Sequence, residues 1–160
     1  MKTSAKWEGA TWAFQGTIAN GAGGAGDQTY AVTPGEGNEL EVLYGEVLNG
    51  DTVARNVSVQ VDDGTNIFAF VPWNGLSLGA GSRQGFPQAI TGTSANLLGA
   101  VPTRLIVSGS MRLLVTVAAV AASQDSALGL VARLRGPTLP TVTLAGASTP
   151  TLTTNVNRVF

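Results

Sequence analysis

In the stretch VARNVSVQVDDGT, Val57, Val59 and Val61 alternate with Ser58, Gln60 and Asp62, and Asp63-Gly64 follows at once. A period of two puts the valines on one face of a pleated strand and the polar residues on the other, and a D-G pair supplies the positive φ of a tight hairpin turn. The apolar face of such a strand has to be covered by a second layer. IFAFVPW, Ile67 to Trp73, returns as the partner strand and stops near Pro72. ELEVLYGEVLN, Glu39 to Asn49, also reads as a strand, with Gly45 marking a bulge. In ALGLVARLRG, Ala127 to Gly136, Leu128, Leu130, Ala132 and Leu134 alternate with Gly129, Val131, Arg133 and Arg135, and Gly136-Pro137 ends the run. The run MRLLVTVAAVAAS, Met111 to Ser123, has the Leu, Ala and Met content of a helix. Its Leu113, Val115, Val117, Ala119 and Ala121 nevertheless make a period-two face, so we read a strand joined to Ala127–Gly136 as a long hairpin. Short strands, glycine-rich turns and no strong helix predict an all-β fold, a sandwich or a barrel.

The 160 residues suit one domain. Within it we expect a β-sandwich over residues 31–136, an N-terminal arm with a glycine-rich loop over 1–30, and a C-terminal arm or extra edge strand over 137–160, where Pro137, Pro140 and Pro150 stand among many threonines. With no cysteine and no histidine, disulfides, thiolate metal sites and ordinary transition-metal sites are excluded. Charged residues make up only 12% of the chain and glycines number 21, so the surface is built largely from small and uncharged side chains and suits packing against other copies or another protein. A net charge of −1 argues against nucleic acid or an anionic membrane as partner. The most apolar run, Leu105 to Ala122, is broken by Ser108-Gly109-Ser110 and Arg112 and is too short to span a bilayer, which predicts a soluble protein. Charge is unevenly placed. Residues 1–63 hold nine acids and three bases, whereas six arginines and Asp125 alone follow. Either the arginines of one copy meet the acids of another, or the two sets pair inside one fold.

Two motifs mimic catalytic signatures. NGAGGAGDQ, Asn20 to Gln28, spells G-x-G-x-x-G, but no helix signal follows where a dinucleotide fold needs one, so it reads as a flexible loop. GLSLG, Gly75 to Gly79, spells the nucleophile elbow of α/β-hydrolases, but Ser77 has no histidine anywhere in the chain to activate it. Glu39 and Glu41 share a strand face and would be the acids of a glycosidase, though solvated neighbours are the plainer reading. Asp62, Asp63 and Asn66 surround a tight turn as calcium ligands would, against the plainer hairpin reading. Arg55 shares the parity of Val57, Val59 and Val61, so it points inward at the strand end and needs a carboxylate, for which Asp51 or Asp125 is placed. Trp7, Trp12, Trp73 and Phe160 are candidate interface anchors, and the tryptophans are also candidates for a sugar-stacking platform. No catalytic set, metal or cofactor is expected.

The middle of the chain, TPGEGNELEVLYGEVLNGDTVARNVSVQVDDGTN and then VPTRLIVSGSMRLLVTVAAVAASQDSALGLVARLRG, resembles small β-sandwich virion proteins of tailed bacteriophages. The shared positions are Pro34-Gly35, the turn from Asp51 to Arg55, the strand Val57 to Val61, Asp63-Gly64, Pro102 and the bend at Asp125. The resemblance implies a jelly-roll-like, antiparallel sandwich with extended arms and a structural, non-catalytic role. The protein would sit on the outer head surface of the virion as a decoration or cement protein, a homotrimer whose partners are its own copies and the major capsid protein. The alternative is a carbohydrate- or receptor-binding module of a fibre or tail.

Overall fold

The computed structural model describes residues 9–70, 73–86 and 104–160. Trp7 and Pro102 lie outside them. Among the described residues twelve strands follow in order: β1 (Thr11–Ala19), β2 (Gly26–Thr33), β3 (Gly35–Asn49), β4 (Arg55–Asp62), β5 (Ile67–Phe70), β6 (Leu76–Leu78), β7 (Arg83–Phe86), β8 (Leu105–Gly109), β9 (Arg112–Val120), β10 (Asp125–Arg135), β11 (Thr141–Ala145) and β12 (Thr151–Val159). They form two antiparallel sheets. The first runs β12-β1-β10-β3-β7 with β8 also on β3, and the second runs β11-β2-β9-β4-β5 with β6 also on β4. No helix occurs among the described residues.

The pairing is nested. Ile18 faces Ser126, Thr29 faces Thr116 and Leu40 faces Val107, so β1·β10, β2·β9 and β3·β8 are all centred within two residues of Trp73. A single long antiparallel ribbon, folded back near its midpoint and rolled, produces this pattern, and successive turns of the roll fall alternately in the two sheets. That is a jelly-roll-like sandwich. It also corrects one expectation: β9 and β10 are not a hairpin. They adjoin in sequence but lie in opposite sheets, β9 between β2 and β4 and β10 between β1 and β3, because each has an apolar face that is covered by the other's sheet.

Alternation decides what is inside. Trp12, Phe14 and Ile18 of β1, Tyr30 and Val32 of β2, Val57, Val59 and Val61 of β4, Leu113, Val115 and Val117 of β9, and Leu128, Leu130, Ala132 and Leu134 of β10 are buried in one core. The alternation of β9 breaks at Ala119, whose φ is +53°; its N–H is taken by the Asp27 carboxylate at 2.8 Å, and Val120, not Ala121, turns inward. In β3 the extra residue is Leu43, since Val42 and Tyr44 face the adjacent Ala132 and Val131. Gly45 beside it serves a different purpose: a Cβ there would run into the ring of Phe86. We expect Gly45→Val to cost about 3 kcal/mol through overpacking, and Phe86→Ala in the same chain to recover part of that loss. Chemical denaturation of the three variants measures both.

The N-terminal end differs from the expected arm, and the C-terminal end takes the edge-strand alternative. Residues 11–33 belong to the sandwich, because β1 sits between β10 and β12 and carries Trp12 into the core. The glycine loop after Asn20 is closely packed rather than loose, since a Cβ at Gly21, Gly24 or Gly26 would strike residues Ala147–Ser148. At the other end, β11 and β12 each extend one sheet at its margin, and Val142, Leu144 and Val159 pack on the core.

Candidate functional site

Three polar constellations stand out on this frame. The first braces the corner between β3 and β4, where the chain passes from one sheet to the other. Asn49 is inward by the alternation of β3 and fully buried, and its amide donates to Val53 O and Leu78 O, both at 2.9 Å. Its Oδ1 accepts the N–H of Asp51 at 3.1 Å. Asp51 in turn accepts Arg55 Nε at 2.7 Å, the N–H of Ala121 at 2.8 Å and the N–H of Val53 at 3.2 Å. Burial pushes the Asp51 carboxyl up, but the Ala121 and Val53 N–H groups and the Arg55 guanidinium outweigh it and hold the carboxyl at about 2. Asp125 is not the partner of Arg55. Its backbone carbonyl accepts the N–H of Gly50, and its carboxylate lies where a Cβ on Gly50 would be.

The second constellation is a ladder of ion pairs, mostly on the outer face of the first sheet. Glu41 binds Arg104 at 3.0 Å and Arg133 at 3.5 Å, Glu39 lies 3.9 Å from Arg135, and Arg83 binds Glu46 at 2.8 Å. On the second sheet Arg112 pairs with Asp62. Much of the uneven charge distribution is thereby met inside one chain: in a nested ribbon, β1, β2, β3 and β4 each lie beside a strand of the second half, so first-half acids come to face second-half arginines. Arg158 has no ion-pair partner among the described residues. The hydrogen bond from Arg104 pulls the Glu41 carboxyl down, which is the wrong direction for the proton donor of a glycosidase. The hairpin turn has internal uses for its ligand candidates as well. Asp63 Oδ1 accepts the N–H groups of Thr65 at 2.8 Å and Asn66 at 2.7 Å, its Oδ2 accepts the Asn66 amide at 3.2 Å, and Asp62 Oδ1 accepts the N–H of Gly64 at 3.0 Å. Among the described residues no cluster of three or more His, Cys, Asp or Glu could hold a metal ion.

The third is an open trough of about 370 Å³ across the outer face of the first sheet. Its floor is the middle of β10 at Ala127 and Gly129, and Gln15 of β1 and Glu46 of β3 stand opposite Gly129 on either side. Tyr44, 41% exposed, forms part of one wall; its ring lies against Gly85, and its hydroxyl donates to Glu46 Oε2 at 3.2 Å. Arg83 closes that side through its bond to Glu46.

The aromatic anchors expected from the sequence are distributed differently. Trp12 is fully buried, donates from Nε1 to Asn157 Oδ1 at 2.6 Å and stacks on Phe14, so it is a core residue of its own chain and not an anchor in a neighbour. Trp73 is also fully buried, edge-on to Phe86 at 5.6 Å, and is unavailable to a partner or a sugar. Phe160 is 74% exposed. Sequence reasoning missed the aromatic that does line an open site, Tyr44, because the bulge at Leu43 shifts the face on which it emerges. It also missed Asn20, Asn38 and Asn49, buried polar residues that stitch the loops to the sheets. An asparagine at a core-parity position, as Asn49 is in β3, was the available signal.

No protein-family model, curated protein or solved structure matches the chain. What defines its class is its own topology, a two-sheet antiparallel sandwich of jelly-roll-like nesting extended at one margin by β11 and β12.

Proposed function

We propose that this chain is a structural, non-catalytic component of a tailed-phage virion that binds the outer capsid surface and stabilises it, as a decoration or cement protein. The observation that supports this reading most is the outer edge of β12. It is a nine-residue strand, TLTTNVNRV, at the end of its sheet, with Arg158 its only charge and no proline. An edge of this kind presents unpaired N–H and C=O groups with none of the usual protective lysines or prolines, and so offers a template for another chain. Leu152 and Phe160 beside it are exposed and add apolar area. Many modest contacts of this type, repeated by symmetry, are how a small protein clamps adjacent shell subunits. The test is copy number: particles from the source of the gene are purified and the chain is quantified against the major shell protein by mass spectrometry. Abundance comparable to the shell protein is expected, and absence from particles would overturn the reading.

The second reading, a carbohydrate- or receptor-binding module of a fibre or tail, is favoured by the open trough with Tyr44 in its wall. It predicts a handful of copies per particle in the same measurement.

A further inference from the structure

Gly129 sits in the centre of β10, paired to Gln15 on one side and Glu46 on the other. Glycine in a strand interior loses about 0.5–1 kcal/mol relative to alanine, so its presence calls for a reason. The usual internal reasons are missing. Among the described residues, its two chain neighbours aside, a Cβ on Gly129 would meet no atom within 4 Å, and its φ is not in the left-handed region. The contrast with Gly45, where Phe86 occupies the space, is direct. At Gly129 the vacant space belongs to the trough.

We infer that the trough is a binding site for a neutral saccharide, which lies over Gly129 against the Tyr44 ring and is hydrogen-bonded by Gln15, Glu46 and Arg83. The ligand class rests on the second reading above, and the placement is new. Four observations select this chemistry. A volume of about 370 Å³ falls in the small-molecule range. The backbone of β10 is paired on both sides, so an extended peptide cannot add as a strand and recognition falls to side chains. Glu46 and Arg83 neutralise one another at 2.8 Å, which removes the net charge that would favour a phosphate or a cation. The remaining groups mix donors and acceptors around an exposed aromatic ring, and the Gln15 amide makes no hydrogen bond within the described residues. A polyol with an apolar ring face satisfies both kinds of surface.

The experiment is an amide NMR titration of the full chain with neutral trisaccharides of glucose, galactose, mannose and N-acetylglucosamine, repeated on Gly129→Val and Tyr44→Ala. A Cβ at position 129 meets no described residue beyond its chain neighbours and valine suits a strand, so Gly129→Val narrows the trough from its floor; Tyr44→Ala removes the ring from outside the core. With at least one probe, the wild type is expected to show shifts confined to β1, β3, β7 and β10 around the trough, and each variant to bind at least about tenfold more weakly. If no probe binds the wild type, the inference fails. If a probe binds and both variants bind equally well, the saccharide reading survives and this placement is overturned. The capsid reading is judged separately, by copy number.

Discussion

Replacing Asp51 by alanine will lower the thermal midpoint by roughly 10 °C and flatten the acid limb of the stability curve. The first effect follows from what is left behind. Arg55 and the N–H groups of Ala121 and Val53 all converge on this buried carboxylate. Removing one member of a buried ion pair costs about 3–5 kcal/mol, and for a chain of this length each kcal/mol moves the midpoint by about 2–4 °C. The second effect is a matter of linkage. The Asp51 carboxyl is held at about 2 in the folded chain, below the ordinary 3.8. The unfolded state therefore takes up the proton first as pH falls, so the stabilisation is complete above about pH 4 and is lost towards pH 2. Asp62 is shifted in the same direction, since Arg112, Gln60 and the Gly64 N–H outweigh its burial, and it will retain its own share of acid sensitivity in the variant. Thermal unfolding near neutral pH and near pH 3 measures both effects. An acid dependence equal to that of the wild type would show that Asp51 is not its source.

Trp12→Ala is expected to lose about 3–5 kcal/mol in the unfolding of the isolated chain, with no dependence on protein concentration. The indole is fully buried, its ring centroid lies 5.9 Å from that of Phe14, and its N–H is satisfied by Asn157 of β12. Truncation therefore opens a cavity and releases the strand that forms the sheet's outer edge. A tryptophan that anchored a neighbouring subunit would behave in the opposite way, with unfolding little changed and assembly weakened. Sedimentation of the variant together with its denaturation curve separates the two outcomes. Because β12 borders the proposed capsid-binding edge, we also expect hydrogen exchange to rise first in residues 151–159.

Individual strands were legible in the sequence because a strand's period is written in adjacent residues. Val57, Val59 and Val61 face inward, as do Leu128, Leu130, Ala132 and Leu134, and the Asp63-Gly64 turn joins β4 to β5. The parity of Arg55 likewise pointed to a nearby carboxylate, and Asp51 is four residues away. The trough was not legible in this way. It draws Gln15, Tyr44, Arg83 and Gly129 from four strands, and no local pattern distinguishes Gly129 from the other glycines of the chain.

Residue order and composition are enough for the class: strands, their inward faces, the turn between β4 and β5, and the absence of histidine and cysteine chemistry. Strand partnership emerges only when the chain closes on itself. β9 and β10 look like a hairpin when read along the chain and are in fact divided between two sheets. The arginines of the second half find the acids of the first half only because the ribbon closes on itself, and Trp12 enters the core only because β10 and β12 flank its strand. The two differ in range. Alternation is imposed by the geometry of neighbouring peptide units, whereas the choice among possible strand partners depends on which closure buries every apolar face at once, a property of the whole chain.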